Sequence, residues 1–242
     1  MQSQFIRGAG ILFEDQQIVV IATGANGARK SKNAKTGKMA QVWILVRSED
    51  PIAAVRSGQD EVICFDCPLR GVLGKERGCY LGAYELAHAP LSIWRAYRRG
   101  RYQTVKTTKQ INQLFADTAV RFGAYGEPIR IPFKTVKAIT AVAKTWTGYT
   151  HQWRNPLYKA YRQYFMASCT AGDYEQAQAM GWRTFSVSGQ HLDNQIVCPA
   201  SKERGHKLSC EDCGLCSGLT RSKARSVQIR AHGAGAQYAV AA

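Results

Sequence analysis

Seven of the eight cysteines of this 242-residue chain fall into two spaced sets, and that spacing limits the fold more than any other feature. The C-terminal set is Cys198, Cys210, Cys213 and Cys216, a Cys-x2-Cys-x2-Cys run with a fourth thiol set off by eleven residues. Four thiolates are the full complement of a [4Fe–4S] cluster or of a structural zinc ion. The compact three-thiol run favours iron–sulfur, because zinc modules more often use two separated Cys-x2-Cys pairs. Asp212 and Gly214 suit the tight turns of a ligand loop. The N-terminal set is Cys64, Cys67 and Cys79, spaced Cys-x2-Cys-x11-Cys. Three ligands leave either an open coordination position or a place for a remote fourth ligand. Cys169, His88 and His151 are the candidates for it, and Cys169 fits a buried hydrophobe equally well.

Compartment supports the metal reading. No stretch approaches the roughly 18 consecutive apolar residues of a membrane span; the longest apolar runs, 18–22 and 42–46, have strand length. The first seven residues lack the basic-then-apolar order of a secretory leader. The chain is therefore expected in the cytoplasm, the host-cell cytoplasm if it is phage-encoded. Disulfides are rare there, and clustered cysteines bind metal or do chemistry.

Charge adds a partner. Lys and Arg number 33 against 17 Asp and Glu, a formal charge of +16, while 45% hydrophobic and 21% charged residues make an ordinary globular composition that excludes disorder. Such an excess favours a polyanion, nucleic acid (DNA above all) or a nucleotide; the plain alternative is a solvated surface that maintains solubility. Two segments concentrate it. The loop 24–38 carries Arg29, Lys30, Lys32, Lys35 and Lys38 with no acidic residue, and its Gly-Lys order is not a phosphate-binding P-loop. In the helical stretch 85–117, Arg95, Arg98, Arg99 and Arg101 interleave with Trp94, Tyr97 and Tyr102, which supplies phosphate charges and stacking faces if the aromatics point outward. If Ile93, Trp94 and Tyr97 face the core, the arginines simply face water.

The pattern along 11–22 and 40–47 is that of strands. From 118 to 188, strands at 119–123, 147–150, 165–168 and 184–187 alternate with helices at 133–144, 157–164 and 174–180. A further strand is expected at 226–229. Strands alternating with helices of this length predict an α/β fold, an incomplete parallel (β/α) barrel or an open sheet, carrying the two cysteine-rich metal-binding segments. Function in such sheets lies at the strand C-termini. There Gly126 and Glu127, then His151 and Gln152, then Ser168 and Cys169, then Ser188 and His191 converge on one rim. Arg121, Glu127 and His151 are the candidate catalytic residues. Tyr158, Tyr161 and Tyr164 at helical spacing read as one packed face rather than nucleophiles, since no His-x-His metal pair accompanies them. The expected organisation is strands and a basic loop over 1–60, the cysteine loop and strand–helix repeats over 61–190, the four-cysteine module over 191–232, and a disordered tail over 233–242.

Cys64, Cys67 and Cys79-Tyr80, the run from Trp94 to Tyr102, Arg121-Phe122-Gly123-Ala124-Tyr125-Gly126-Glu127, and Thr147-Gly148-Tyr149-Thr150-His151-Gln152-Trp153 together resemble a poorly characterised cysteine-rich family of bacteriophages and mobile elements, over roughly residues 40–220. More remotely, a three-cysteine loop followed by strand–helix repeats and a four-cysteine set is similar to partial-barrel radical S-adenosylmethionine enzymes with an auxiliary cluster. That resemblance implies that Cys64, Cys67 and Cys79 hold a second cluster to which S-adenosylmethionine binds. The spacing here differs from that family's Cys-x3-Cys-x2-Cys motif, and Tyr80 follows the last cysteine instead of preceding it. Two functions are expected from these features: an iron–sulfur enzyme acting on nucleic acid or a nucleotide, or a zinc-stapled DNA- or RNA-binding protein.

Overall fold

The computed structural model describes residues 8–26, 33, 35–71, 78–205, 208–221, 223–231 and 236. Arg29, Lys30 and Lys32 of the basic loop, and the expected tail apart from residue 236, lie outside the described residues.

The chain begins with an antiparallel meander, β1 (Gly10–Glu14), β2 (Ile18–Thr23) and β3 (Ala40–Val46). The apolar stretch expected as one strand over 11–22 is a hairpin, because the Asp15 carboxylate accepts the amides of Gln17 and Ile18 at 2.8 Å each and closes a tight turn. Ile18 to Ala22 and all of β3 are buried, as continuous apolar strands covered on both faces must be.

After β3 the chain crosses over through α1 (Pro51–Ser57), which starts where the Asp50 side chain accepts from the amides of Ile52 and Ala53 and stops at left-handed Gly58. Then come α2 (Glu61–Cys64), α3 (Ala83–Ala87), α4 (Ala89–Arg98) and α5 (Thr108–Phe115). β4 (Ala119–Tyr125) returns parallel to β3, and after α6 (Phe133–Thr140) β5 (Thr145–Thr147) pairs parallel to β4. The first sheet thus has the order β1-β2-β3-β4-β5.

One residue later the chain is in a second sheet. β6 (Tyr149–Thr150), β7 (Met166–Thr170), α7 (Tyr174–Ala179), β8 (Thr184–Val187), β9 (Gln195–Val197), α8 (Cys210–Cys213) and β10 (Ser226–Ile229) follow. The strands pair all-parallel in the order β6-β7-β8-β10-β9. Gly148 is the joint: its carbonyl accepts from Met166 N at 3.0 Å in the second sheet, and its N–H donates to Cys216 O at 3.3 Å. The expectation of an α/β fold with parallel strands holds, and the described residues close no barrel. β9 was not legible in the sequence, and the helix read over 133–144 stops at Thr140.

Side chains alternate across β7, and the two faces serve different cores. Ala167 and Cys169 join the main core with Trp153, Phe165, Ala177 and Trp182. Met166 instead joins a smaller cluster with Cys198, Ala200, Cys216, Val227 and Ile229. The four-cysteine module therefore packs on the sheet face opposite α7. Tyr161 is buried in the main core with its hydroxyl donating to Ile131 O at 2.8 Å, and Tyr158 and Tyr164 pack beside it.

Candidate metal centres

The first centre forms where β4 and β6 end. β4 carries a register shift against β3: Gln41 faces Arg121, but Trp43 faces Tyr125. Such irregularities re-aim the residues at a strand end. Gly126 follows at φ 78°, and a Cβ there would stand 2.8 Å from the Ile44 side chain, so only glycine lets β4 turn this close to β3. The turn delivers Glu127, whose amide donates to Ile63 O of α2 at 2.8 Å. β4 and the cysteine loop are thereby tied together.

Glu127 is 4% exposed, and its burial is compensated by three donors. Thr150 Oγ1 donates to it at 2.6 Å, the His151 amide at 3.1 Å and His151 Nδ1 at 2.7 Å. With Nδ1 committed to the carboxylate, Nε2 is the ring nitrogen left for another partner. Cys67 supplies one: its Sγ, a Glu127 oxygen and a His151 ring nitrogen all lie within 4.8 Å of one another, the single such grouping among the described residues. Burial acts to lower the His151 pKa, but the Cys67 thiolate and the Glu127 carboxylate hold it well above the usual histidine range. A carboxylate that orients a histidine whose second nitrogen faces a thiolate is the arrangement that surrounds protein metal ligands.

Cys64 belongs to the same neighbourhood. Burial pushes its thiol up, and Cys79, Cys67, Asp60 and Glu127 add to the shift. The loop is pinned by Arg70, which donates to Asp60 at 2.8 Å and to Gly58 O at 2.5 Å, and by Cys79 N donating to Leu69 O at 2.7 Å. Between the paired cysteines, Phe65 adopts φ 52°, ψ −137°. A bulky side chain in that region costs about 1–3 kcal/mol and persists only where the surroundings hold it. Asp66, next to it, accepts the Gln152 side-chain amide.

The second centre is built from β9, α8 and the turn after it. Cys198 ends β9, with its N–H donating to Gln228 O at 2.8 Å, and α8 is capped by Ser209. Left-handed Gly214, φ 58°, places its α-carbon against the Thr145 hydroxyl, where a Cβ would collide. Arg183 clamps the outgoing chain: its guanidinium donates to the carbonyls of Leu215, Gly218 and Arg225, each at 2.8 Å. Cys198, Cys210, Cys213 and Cys216 line one small cavity with Thr147 and Tyr149. Burial raises the thiols of Cys198 and Cys216 and pushes Cys210 up to about 11, while the charge of Lys35 works against the shifts at Cys198 and Cys210. Tyr149 hydrogen-bonds the Cys216 thiol. All eight cysteines are free thiols. No three of these four sulfurs meet the 4.8 Å separation satisfied at the first centre; thiolates around one zinc ion at about 2.3 Å would be closer, about 3.8 Å apart.

Arg121 lies between the centres. Its strand partner is Thr147, which lines the four-cysteine cavity, and its guanidinium donates to Tyr80 Oη at 2.7 Å, one residue after Cys79. Its charge also reaches Cys210.

Of the residues expected to act together, the structure unites Glu127 and His151 with Cys67, and sets Arg121 apart on the side toward the second centre. Of the candidate fourth ligands, Cys169 is a buried core residue, and His88 is an exposed ring whose Nδ1 meets Tyr84 O at 2.6 Å; His151 is the one beside the cysteines. Arg95, Arg98, Arg99 and Arg101 are exposed. The aromatics between them are committed to packing: Trp94 Nε1 donates to Val46 O at 3.1 Å, and Tyr97 Oη donates to Glu14 at 3.1 Å. Lys35 and Lys38 contact the second centre through the backbone, Lys35 O accepting from Cys210 N at 2.8 Å and Lys38 N donating to Glu211 at 2.8 Å. Sequence reasoning missed Thr150, Tyr80, Tyr149 and Arg183. Tyr80 and Thr150 adjoin residues already singled out, whereas nothing local marks Arg183. Compared with known protein families, curated proteins and solved structures, the chain matches none.

Proposed function

We propose that the protein is a cysteine-ligated metalloprotein with two centres, iron–sulfur in preference to zinc, that acts on nucleic acid or a nucleotide. The observation that carries this reading is the grouping of seven of its eight thiols: four line one cavity, and three gather beside a buried Glu127–His151 pair. The donor sets fit. Cys198, Cys210, Cys213 and Cys216 would hold a four-thiolate cluster, and Cys64, Cys67 and Cys79, with His151 at hand, would hold the second group.

A bound cluster supplies one-electron chemistry, and the radical S-adenosylmethionine reading is one form of it. The chain's own residues do the rest. Glu127 fixes the His151 ring and keeps a proton on Nδ1. Arg121 and Lys35 place positive charge beside the thiols, which favours the thiolate form that metals require. The kink at Gly148 that passes the chain from one sheet to the other is what an incomplete barrel would need at that point. The exposed arginines of α4 and the +16 charge support a polyanionic partner, DNA first.

Anaerobic purification with iron, sulfide and zinc analysis and a visible spectrum tests the reading; stoichiometric iron and sulfide are expected, and a colourless chain carrying zinc overturns the iron–sulfur part. A second reading, zinc with no catalysis, is favoured by one observation: the Cys67, Glu127 and His151 donors already stand at the spacing of a single-ion site. For the partner, DNA retention over a salt series is expected to give a log–log slope of about −0.9 per phosphate neutralised, and salt-independent binding would contradict it.

A further inference from the structure

Beside the first centre, a cavity of about 490 Å³ opens on the strained loop between the paired cysteines. That volume lies within the usual range of small-ligand sites, about 300–1,000 Å³. Phe65 and Asp66, the two residues between Cys64 and Cys67, form part of its wall, so whatever fills it touches the metal-binding loop directly. The Arg130 guanidinium lies 5.5 Å over the Phe65 ring, and Arg130 Nε is buried with no hydrogen-bond partner among the described residues. Glu61 and Asp66 bring two carboxylates, and Gln17 and Gln59 two amides. Arg70 approaches Glu61 at 3.5 Å, and Asp66 holds the Gln152 amide next to His151.

We propose that this cavity binds a guanine base, as a free nucleotide or as an unpaired base of a nucleic acid. The proposal deepens the nucleotide reading above and rests on it. The chemistry selects the base. An aromatic ring with a guanidinium plane above it is a stacking shelf for a flat heterocycle. A carboxylate is matched by two adjacent N–H donors, and guanine alone among the standard bases presents two, N1–H and the N2 amino group, on its Watson–Crick edge. Its opposite edge carries the N7 and O6 acceptors that arginine reads, which meets the unpartnered Arg130 Nε. Adenine and cytosine place one donor beside one acceptor, and uracil flanks its donor with acceptors, so each leaves part of a carboxylate unpaired.

The test is calorimetric titration of the full chain, purified anaerobically with its metal content measured, against GMP, AMP, CMP and UMP. GMP should bind at least about tenfold more tightly than the other three, the discrimination that one bidentate pair supplies. Glu61→Gln should erase most of that preference, and Arg130→Lys should weaken GMP binding while the thermal midpoint is kept. A short single strand with one guanine, compared with the same strand carrying adenine, separates the sources: a further gain over GMP identifies nucleic acid, and equal affinity identifies the free nucleotide. Equal binding of all four nucleotides, binding of none, or GMP binding indifferent to both substitutions would overturn the proposal. A metal-free chain that still prefers GMP would defeat the metalloprotein reading and leave the guanine site standing.

Discussion

The two cysteine centres are held in opposite ways. Around Cys64, Cys67 and Cys79 the protein uses side chains: Glu127, Thr150, His151, Asp66 and Gln152 form a hydrogen-bonded network at the ends of β4 and β6. Around Cys198, Cys210, Cys213 and Cys216 it uses backbone carbonyls gripped by one buried arginine, with the thiols set in a small apolar cluster of their own. The difference teaches what each is suited for. A network of titratable groups can move protons and adjust a ligand, whereas a backbone clamp around four thiols fixes geometry. The first is the place to look for chemistry, and the second for stability or electron storage.

The contrast can be broken most forcefully at Arg183. Arg183→Met leaves three carbonyls without their donor in a buried setting and should cost about 3 kcal/mol or more, read as a fall in the urea midpoint together with metal loss confined to the four-cysteine centre. Equal metal loss from both centres would mean that the two are one folding unit. Glu127→Gln acts on the other side. It keeps the shape but removes the carboxylate that orients His151, and metal affinity at the three-cysteine centre should fall roughly 10- to 100-fold with the second centre unchanged, measured by competition with a chelator.

The smallest effect is one of pH on the metal-free chain. The folded His151 pKa is raised, so the contribution of its pair with Glu127 is fully present below the unfolded histidine value, about 6.5, and is lost as pH rises through the folded value. Cys210 has the same sign: its thiol, pushed up to about 11, makes the folded state lose stability between about pH 8.5 and that value. Urea midpoints of the metal-free chain should therefore decline with rising pH. Glu127→Gln should flatten the histidine part of the decline while the cysteine part persists.

Much of the first sheet's periphery and the strand–helix alternation could be read from the chain, because period and turn residues are local signals. Glu127 and His151 were legible as a pair for the same reason: each follows a readable strand, and parallel strands bring their ends to one rim. The hairpin within 11–22 was hidden because its turn, Asp15-Gln16-Gln17, lacks glycine and lies between two apolar runs. Arg183 was hidden because its partners lie 32 to 42 residues away, and they are backbone carbonyls that no side-chain pattern announces. The expected stacking faces of Trp94 and Tyr97 fail for a different reason. Each ring is long enough to pack inward and still satisfy its polar tip, Trp94 on the carbonyl of Val46 and Tyr97 on Glu14.

The claim that two separate metal centres exist is tested most directly by iron, zinc and sulfide analysis of three anaerobically purified proteins: the wild type, Cys64→Ala/Cys67→Ala and Cys213→Ala/Cys216→Ala. The account predicts that the wild type carries two sets of metal and that each double variant keeps one, with the spectrum of the set that remains. A folded wild type with no stoichiometric metal, or two double variants with the wild-type content, would contradict it.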